Sequence, residues 1–322
     1  MGYNYIMSKK ILLSGVKPTG RPHVGNYFGA MKQFVELQSQ YESYIFIADL
    51  HALTTVQNRQ ELEENTTGVL LDYMAIGLDP KSVTIYKQSD VPQVAELAWI
   101  FNCLTTVPYL ERAHAYKDAV ANKKEPNVGL FDYPMLMAAD ILIQDADVVP
   151  VGQDQKQHVE IARDTAEKFD RIFQKCFKLP EPLILDTVAT VPGTDGRKMS
   201  KSYNNTIPLF ASDEEIEKAV MGIVTDSGAD VPENVYAIHA LLRDRVSLDA
   251  LYAENKGQYK KLKELLIEDL KAMITPMRER RQALEEDKSA VLEVLKAGGL
   301  VAHERAEKKM EEVRKAVGLK LY

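Results

Sequence analysis

The chain has 322 residues, of which 45% are hydrophobic and 27% are charged, as in a globular protein with a large core. No apolar run reaches the roughly 20 residues of a membrane-spanning helix, and the first ten residues lack an apolar stretch of signal-peptide length. The two cysteines, Cys103 and Cys176, are too few and too far apart for a zinc site or a disulfide framework. We therefore expect a reduced, cytoplasmic protein with no membrane partner and no tightly bound metal.

The net charge of −7 argues against a protein that coats nucleic acid indiscriminately. It does not exclude RNA, because binding depends on where the basic residues lie. Lysines and arginines cluster at residues 117–124, 260–263, 278–281 and 308–320. Most of them alternate with acids on helical patterns, so each cluster alone is equally consistent with a solvated, salt-bridged helix face.

The first 90 residues follow an alternating pattern. An apolar run at 11–16, closed by a break at 17–20, predicts a buried parallel strand. Apolar residues then recur at helical spacing from 25 to about 41. Further strands are predicted at 44–48 and 83–86, with a helix at about 60–78 between them. This alternation predicts an α/β fold with a doubly wound, parallel Rossmann-type sheet, whose ligand crevice lies at the carboxyl ends of the strands.

The middle of the chain adds helical material at about 91–124, an apolar helix at 129–143 and another buried strand at 148–152. Asp154 is a candidate N-cap for the helix that follows this strand. From Ser212, a second candidate N-cap, the remainder predicts helices with charged faces.

This change in composition divides the chain. We predict a Rossmann-type catalytic domain over residues 1–207, with a helical insertion at about 105–147. We predict a helical C-terminal domain over residues 208–322.

A loop at residues 193–202 carries two lysines and two serines and is made pliable by two glycines. Such a loop can close over phosphate, although a loop of this composition is more often a solvated basic turn. Residues 198–202 read Lys-Met-Ser-Lys-Ser, and residues 22–26 read Pro-His-Val-Gly-Asn. These two segments, in this order, resemble the two signature elements of the class I aminoacyl-tRNA synthetases.

The chemistry of carboxylate activation by ATP suits these residues. Attack on the α-phosphate develops charge on the phosphoryl oxygens and on the leaving pyrophosphate, so positioning and cationic stabilisation dominate. His23 and Asn26 can donate to phosphate from a helix N-terminus, and Gly25 lets the adenosine approach the backbone. Lys198 and Lys201 can neutralise the pyrophosphate. We predict His23, Asn26, Lys198 and Lys201 as catalytic residues, and the lack of a Walker loop argues against a P-loop ATPase.

Three further segments are more specific. Residues 14–27, 133–142 and 149–158 resemble the bacterial tryptophanyl-tRNA synthetases, and the similarity extends from about residue 10 to residue 319. The resemblance implies a ligase that activates tryptophan with ATP and Mg²⁺ and then transfers it to tRNA(Trp). It also implies a homodimer that reads the anticodon through the C-terminal helical domain.

The resemblance implies roles for individual residues. ATP binding is implied for Lys17, Pro18, Thr19, Gly25, Asn26, Gly152, Gln153, Asp154, Ala189, Lys198, Met199, Ser200, Lys201 and Ser202. Tryptophan binding is implied for His51, Tyr133, Met137, Asp140, Val149, Val151 and Gln155, with Asp140 recognising the indole.

The pattern around Asp140 agrees with that role. Tyr133, Met137 and Asp140 are spaced i, i+4 and i+7, so they share one face of a helix. A carboxylate among apolar residues is costly unless a group donates to it, and an indole N–H is such a donor. The alternative is a structural acid that accepts from a backbone amide or an arginine.

Three positions depart from the usual family pattern. Asn26 replaces the second histidine of the first signature element but keeps a donor. Lys17 stands where glutamine is frequent, and Gln153 stands where an acid is frequent. The last two exchanges change the charge beside the expected substrates and therefore affect substrate affinity.

Two other functions fit part of the pattern. A tyrosyl-tRNA synthetase has the same architecture, and a carboxylate such as Asp140 accepts from a phenol as readily as from an indole. A catalytically silent, RNA-binding paralogue is the second alternative, but it has no need of two intact signature elements. The segment around Asp140 favours tryptophan.

Overall fold

The computed structural model describes residues 9–112, 116–117, 125–152, 156–184, 191–225 and 230–321. Within these residues, five parallel strands form one sheet in the order β3-β2-β1-β4-β5. The strands are β1 Ile11–Val16, β2 Glu42–Ile47, β3 Val83–Lys87, β4 Val148–Pro150 and β5 Glu181–Leu183. The strand order reverses at β1, so the crevice for ligands opens between the carboxyl ends of β1 and β4. The predicted doubly wound, Rossmann-type α/β fold is confirmed.

The described helices surround this sheet and then continue to the end of the chain. They are α1 Val24–Asn26, α2 Lys32–Leu37, α3 Asp49–Ala52, α4 Arg59–Ile76, α5 Gln93–Leu104, α6 Val107–Leu110, α7 Val128–Ile143, α8 Lys156–Ile172, α9 Asp213–Met221, α10 Glu233–His239, α11 Arg245–Glu254, α12 Tyr259–Glu286 and α13 Lys288–Ala316. A π-helical segment, Tyr27–Met31, joins α1 to α2, and short 3-10 turns occupy Gln88–Asp90 and Lys201–Tyr203. No helix in the described part of the chain is both long enough and apolar enough to cross a bilayer.

Local signals explain where the helices begin and end. Helix α4 begins after Asn58, whose side chain accepts from the N–H of Glu61, and it ends at Gly77, which has a φ of 111°. The predicted N-cap Ser212 is confirmed: it accepts from the N–H of Glu215, whose carboxylate accepts from the N–H of Ser212. The N-cap predicted at Asp154 lies outside the described residues.

Each face of the sheet packs against its own set of helices. Leu13 of β1 faces a cluster formed by α5, α7, α8 and the end of α13. Leu12, the neighbouring residue, faces a cluster formed by α2, α4 and the start of α13. This alternation along β1 is expected for a strand covered on both faces. A third cluster joins α9, α10 and α12 to Val24 and Met199, which belong to the two signature segments.

The last helix covers the β3 edge of the sheet. A Cβ atom on Gly298 would lie 2.0 Å from the carbonyl oxygen of Ile85 in β3, so only glycine permits this approach. A Cβ atom on Gly299 would lie 2.9 Å from a carboxylate oxygen of Asp90. Helix α13 therefore protects an edge strand, and its apolar residues belong to the core of the sheet. The division of the chain at residues 207 and 208 stays a prediction.

Candidate active site

A cavity of about 1180 Å³ opens at the carboxyl ends of β1 and β4 and extends from α7 to the loop at residues 193–202. Fourteen of the predicted site residues line it: Lys17, His23, Gly25, Asn26, His51, Tyr133, Met137, Asp140, Val149, Val151, Gly152, Lys198, Met199 and Ser200. The structure thus brings together residues that are up to 183 positions apart in the sequence.

The other predicted residues fall into two groups. Pro18, Thr19, Lys201 and Ser202 flank the cavity in sequence without lining it. Gln153, Asp154, Gln155 and Ala189 lie outside the residues that the structure describes.

Asp140 lies on α7 and lines the cavity, with only 3% of its surface exposed. The Nε2 atom of His51 is 3.0 Å from Oδ2 of Asp140. The side-chain amide of Gln88 donates to both carboxylate oxygens, at 3.0 Å to Oδ1 and 2.8 Å to Oδ2. Burial raises the pKa of Asp140, and the hydrogen bonds from His51 and Gln88 oppose this rise.

These contacts identify the groups that donate to the carboxylate of Asp140. The partners of its carboxylate in the described structure are two side chains, His51 and Gln88, instead of a backbone amide or an arginine. A carboxylate has about four acceptor positions, and these partners leave one on Oδ1 unengaged. Asp140 is therefore held in place by the fold and can still accept one more hydrogen bond in the cavity.

The neighbours of Asp140 form an aromatic and apolar wall. The hydroxyl of Tyr133 is 3.0 Å from Nε2 of His158, and the two rings meet edge to face with centroids 5.7 Å apart. Met137 lies one helical turn before Asp140, and Val149 and Val151 face it from the other side of the cavity lining. This end of the cavity suits a flat, apolar ring that carries one N–H donor.

The first signature segment forms a tight cap on α1. Nδ1 of His23 accepts from the N–H of Asn26 at 3.3 Å, and Oδ1 of Asn26 accepts from the N–H of His23 at 3.0 Å. Burial and the charge of Lys201 lower the pKa of His23 to about 4. A neutral ring that accepts at Nδ1 carries its proton on Nε2, so His23 keeps a donor for a phosphate oxygen.

The two signature segments are in direct contact. The N–H of Gly25 points at the sulfur of Met199, 3.2 Å away, and Met199 is only 4% exposed. A Cβ atom on Gly25 would lie 2.9 Å from Nδ1 of His23 and 3.2 Å from Cβ of Met199. Glycine at this position therefore lets the 193–202 loop close on the helix N-terminus.

The side chain of Asn205 is hydrogen-bonded to the backbone of that loop. Its Oδ1 accepts from the N–H of Ser200 at 2.8 Å, and its Nδ2 donates to the carbonyl of Lys198 at 3.1 Å. A Cβ atom on Gly193 would lie 2.2 Å from Nδ2 of Asn205, so the loop needs glycine where it passes this side chain. Asn205 is not among the predicted site residues. The sequence gives no sign of its role beyond its place just after the Lys-Met-Ser-Lys-Ser segment.

Three lysines lie in or beside the cavity. Lys198 lines it directly. Nζ of Lys201 donates to the carbonyl of Thr19 at 2.9 Å, which ties the loop to the first turn. Nζ of Lys17 donates to Oγ1 of Thr54 at 2.9 Å inside the cavity. Burial lowers the pKa of both Lys17 and Lys201.

Sequence analysis also missed Gln88, Thr54 and His158, which support the predicted residues Asp140, Lys17 and Tyr133 respectively. One signal could have found Gln88. It directly follows β3, and polar residues at the carboxyl ends of parallel strands face the crevice. The other two became visible only through the packing of helices.

Known proteins resemble this chain along nearly its whole length. The family described as tRNA synthetases class I (W and Y) matches residues 7–293. The tryptophan--tRNA ligase of Fusobacterium nucleatum is 48% identical over 317 residues, which cover 95% of this chain and 97% of the relative. That of Rhodopirellula baltica is 42% identical, with 96% and 99% covered. The crystal structure of tryptophanyl-tRNA synthetase from Campylobacter jejuni, complexed with ADP and tryptophan, has a TM-score of 0.88 and 40% identity, and the match covers 96% of this chain and 99% of that chain.

The fold and the two joined signature segments define a class I aminoacyl-tRNA synthetase. With the relatives at 40–48% identity, the chain belongs to the bacterial tryptophanyl-tRNA synthetase family. The predicted family and the predicted enzyme, a tryptophan--tRNA ligase, are confirmed. The tyrosine-specific alternative has no support among these relatives.

Proposed function

We propose that the described cavity is where this ligase forms tryptophanyl-adenylate, with tryptophan at the Asp140 end and ATP at the end that faces Lys198. The contact between Gly25 and Met199 carries the proposal, because it joins both signature segments on one wall of the cavity. The Campylobacter jejuni enzyme, at 40% identity, is described with ADP and tryptophan bound, which supports the same pair of ligands here.

The phosphate end supplies charge and donors for the first half-reaction. A carboxylate oxygen of tryptophan attacks the α-phosphorus, and the bond to the bridging oxygen of the pyrophosphate breaks. His23, through Nε2–H, and Asn26, through its side-chain amide, donate to phosphoryl oxygens at the N-terminus of α1. Lys198 and Lys201 stabilise the negative charge that grows on the leaving pyrophosphate. Mg²⁺ enters as the counterion of ATP.

The amino-acid end selects the substrate. Asp140 accepts the indole N–H, while Tyr133, Met137 and Val149 enclose the ring. A buried acceptor that is left unpaired by the wrong ligand costs more than a change of shape, so phenylalanine should be rejected without editing.

The second half-reaction transfers tryptophan to tRNA(Trp), and we assign recognition of the anticodon to the C-terminal helices. Residues 260–263 and 278–281 lie on α12 and bring lysines and arginines to that part of the molecule. The protein acts in the cytoplasm in this proposal, where tRNA and ATP are available.

The same proposal makes the active protein a homodimer. Large apolar side chains are exposed on α5 and at the starts of α6 and α7: Trp99 is 70%, Val107 58% and Val128 79% exposed. Trp99 also lines a groove of about 450 Å³ beside Leu53, which is 47% exposed. A second copy of the chain is the partner that would cover this patch. Light scattering at micromolar concentration tests it, with Trp99→Glu expected to give monomers.

One assay tests the whole reaction. Exchange of labelled pyrophosphate into ATP, run with each of the twenty amino acids, should proceed with tryptophan alone. Exchange with tyrosine instead would reassign the specificity. Folded protein that supports no exchange with any amino acid would identify the chain as a silent, RNA-binding paralogue.

A further inference from the structure

The turn Gln88–Asp90 sits where β3 ends, next to the tryptophan end of the cavity. Gln88 is fully buried and contacts no cavity space itself, yet its amide reaches both oxygens of Asp140. Both polar atoms of the Gln88 side chain are hydrogen-bonded, which compensates for their burial and fixes the amide against Asp140.

The orientation of the Gln88 amide is fixed. Its Oε1 accepts from the N–H of His51 at 3.2 Å, so Nε2 must face Asp140. The next residue, Ser89, donates both its N–H and its hydroxyl to the carboxylate of Asp49. Asp49 and His51 both belong to α3, so this short helix holds the turn and the amide together.

The turn is also held from outside. Helix α13 passes so closely that a Cβ atom on Gly299 would lie 2.9 Å from a carboxylate oxygen of Asp90. The same Asp90 accepts from the N–H of Lys87, which closes the turn onto β3. Because the turn is held on both sides, Gln88 stays in place, and its amide fixes the orientation of the Asp140 carboxylate.

We propose that Gln88 is a specificity-determining positioning residue for tryptophan. Its amide engages one side of both Asp140 oxygens, His51 engages Oδ2, and the one acceptor position left on Oδ1 is aimed at the indole N–H. This inference rests on the proposed role of Asp140. It adds that the direction of the acceptor, and with it the preference for an N–H donor, is set by a residue that never touches the substrate.

The consequence is measurable as selectivity. Without Gln88, the carboxylate gains freedom to rotate and one further acceptor position opens on each oxygen. The indole N–H of tryptophan then meets an acceptor whose direction is no longer fixed. An analogue in which sulfur replaces the ring N–H makes no such bond, so its KM should change little. The preference of the enzyme for tryptophan over this analogue should therefore fall, while the use of ATP stays the same.

The test uses two variants of Gln88 and one matched control. Gln88→Met removes the amide at similar volume. Gln144→Met is the control, because Gln144 is also fully buried, does not line the cavity and donates to the carbonyl of Ala302 in α13. Pyrophosphate exchange gives kcat and KM for tryptophan, for the sulfur analogue and for ATP.

For Gln88→Met we expect KM for tryptophan to rise about tenfold, with kcat and KM for ATP within about twofold of wild type, as for the loss of one hydrogen bond to a charged group. The sulfur analogue should be affected about twofold or less. Gln144→Met should leave the ratio between the two substrates unchanged. An unchanged ratio in Gln88→Met, or an equal change in Gln144→Met, would show that Gln88 only fills space.

Gln88→Glu keeps the shape of the side chain and adds a titratable group, so the effect on tryptophan binding should depend on pH. A residue that only fills space would cause no such dependence. At low pH the two facing carboxyl groups share a proton and restore one hydrogen bond, whereas at higher pH both ionise and repel each other. The other titratable groups near this pair are His51 and Asp49 from α3 and Tyr86 from β3.

In Gln88→Glu, KM for tryptophan should therefore rise with pH by more than tenfold relative to wild type, which carries the same neighbours. Parallel pH profiles would overturn the proposal. A wild-type protein without tryptophan-dependent exchange would overturn the proposed function itself, whereas a wild type that exchanges normally leaves the Gln88 variants to decide the role of this residue alone.

Discussion

The two ends of the cavity are built in opposite ways. At the amino-acid end, Asp140 is 3% exposed and its partners lie on α3 and on the turn that follows β3. At the phosphate end, Lys198 and Lys201 are exposed and stand on a loop, and Lys201 is tied by one bond to the carbonyl of Thr19. The first end is organised before any ligand arrives. The second holds its charges where they can move.

This difference follows from what each end must do. A buried acceptor discriminates between ground-state ligands, and it does so best when the fold fixes its direction. Charges that stabilise a leaving group act only as that charge develops, so they need access to the transition state more than tight binding of the substrate. Selectivity should therefore fail when the first end is changed, and rate should fail when the second is changed.

The largest expected effect is at the phosphate end. Lys201→Ala should lower kcat for adenylate formation by about 10²–10³-fold, the usual cost of one electrostatic donor, and leave tryptophan affinity nearly intact. Single-turnover formation of the adenylate measures the rate, and equilibrium binding of tryptophan measures the affinity. Lys81→Ala, an exposed lysine far from the cavity, is the control. Weaker tryptophan binding with kcat unchanged would contradict the assigned role.

The next largest effect is at the amino-acid end. Asp140→Ala should cost about 1–3 kcal/mol of tryptophan binding, because the indole N–H loses its acceptor. The sulfur analogue of tryptophan completes a double-mutant cycle with wild type and variant. Asp170→Ala is the control, because Asp170 accepts from the N–H of Cys176 and lines neither the cavity nor the groove beside Trp99. A coupling energy near zero would make Asp140 a structural acid and leave the indole to another residue.

Much of this contrast could be read from the sequence. The sheet, the two signature segments and the helical face that presents Tyr133, Met137 and Asp140 all follow from local patterns and spacing. The partners of these residues do not. Gln88 reaches Asp140 across 52 positions, and Thr54 reaches Lys17 across 37, so each pair exists only after strands and helices have packed.

The position of α13 shows the same limit. Its charged face and helical period predict an ordinary helix near the C-terminus, but its contact with β3 depends on Gly298. A glycine inside a helix lowers the stability of that helix. The sequence alone does not show which other segment of the chain packs against the glycine. Only the three-dimensional approach to Ile85 explains it.

A smaller effect concerns His23, which lines the cavity at its phosphate end. Its folded-state pKa of about 4 lies below the usual value of 6.5, so the unfolded chain binds a proton more readily between these values. Stability from His23 is therefore complete above pH 6.5 and is lost as pH falls toward 4.

We expect the loss to be about 1–2 kcal/mol, because solvent in the cavity screens the ring. Urea denaturation of wild type and His23→Gln at pH 7 and pH 4.5 measures it as a difference between the two proteins. This comparison cancels other groups that titrate in both, such as His239. A difference that stays constant with pH would mean that His23 accepts a proton freely in the folded state.

The smallest effect is expected at Lys17, where the two ends meet. Its ammonium donates to Thr54 within the cavity, and burial lowers its pKa. In the proposed reaction, Lys17 lies beside the tryptophan carboxylate and the α-phosphate. A full charge attracts both groups, whereas glutamine would offer only a dipole. Coulomb attraction of a few kcal/mol at an effective dielectric near ~20 is largely offset by desolvation, so only a several-fold change should remain.

Lys17→Gln should therefore keep kcat near that of wild type and raise KM for tryptophan or ATP several-fold. Thr54→Val removes the hydroxyl that receives the ammonium while the charge stays, so it separates the position of Lys17 from its charge. If position matters, Thr54→Val should shift the same KM in the same direction but by less, and the double variant should show no further loss. If both variants leave every KM unchanged, Lys17 serves the fold through Thr54 and takes no part in binding either substrate. A shift confined to KM for tryptophan would place the ammonium with the amino-acid end, and a shift confined to KM for ATP would place it with the phosphates.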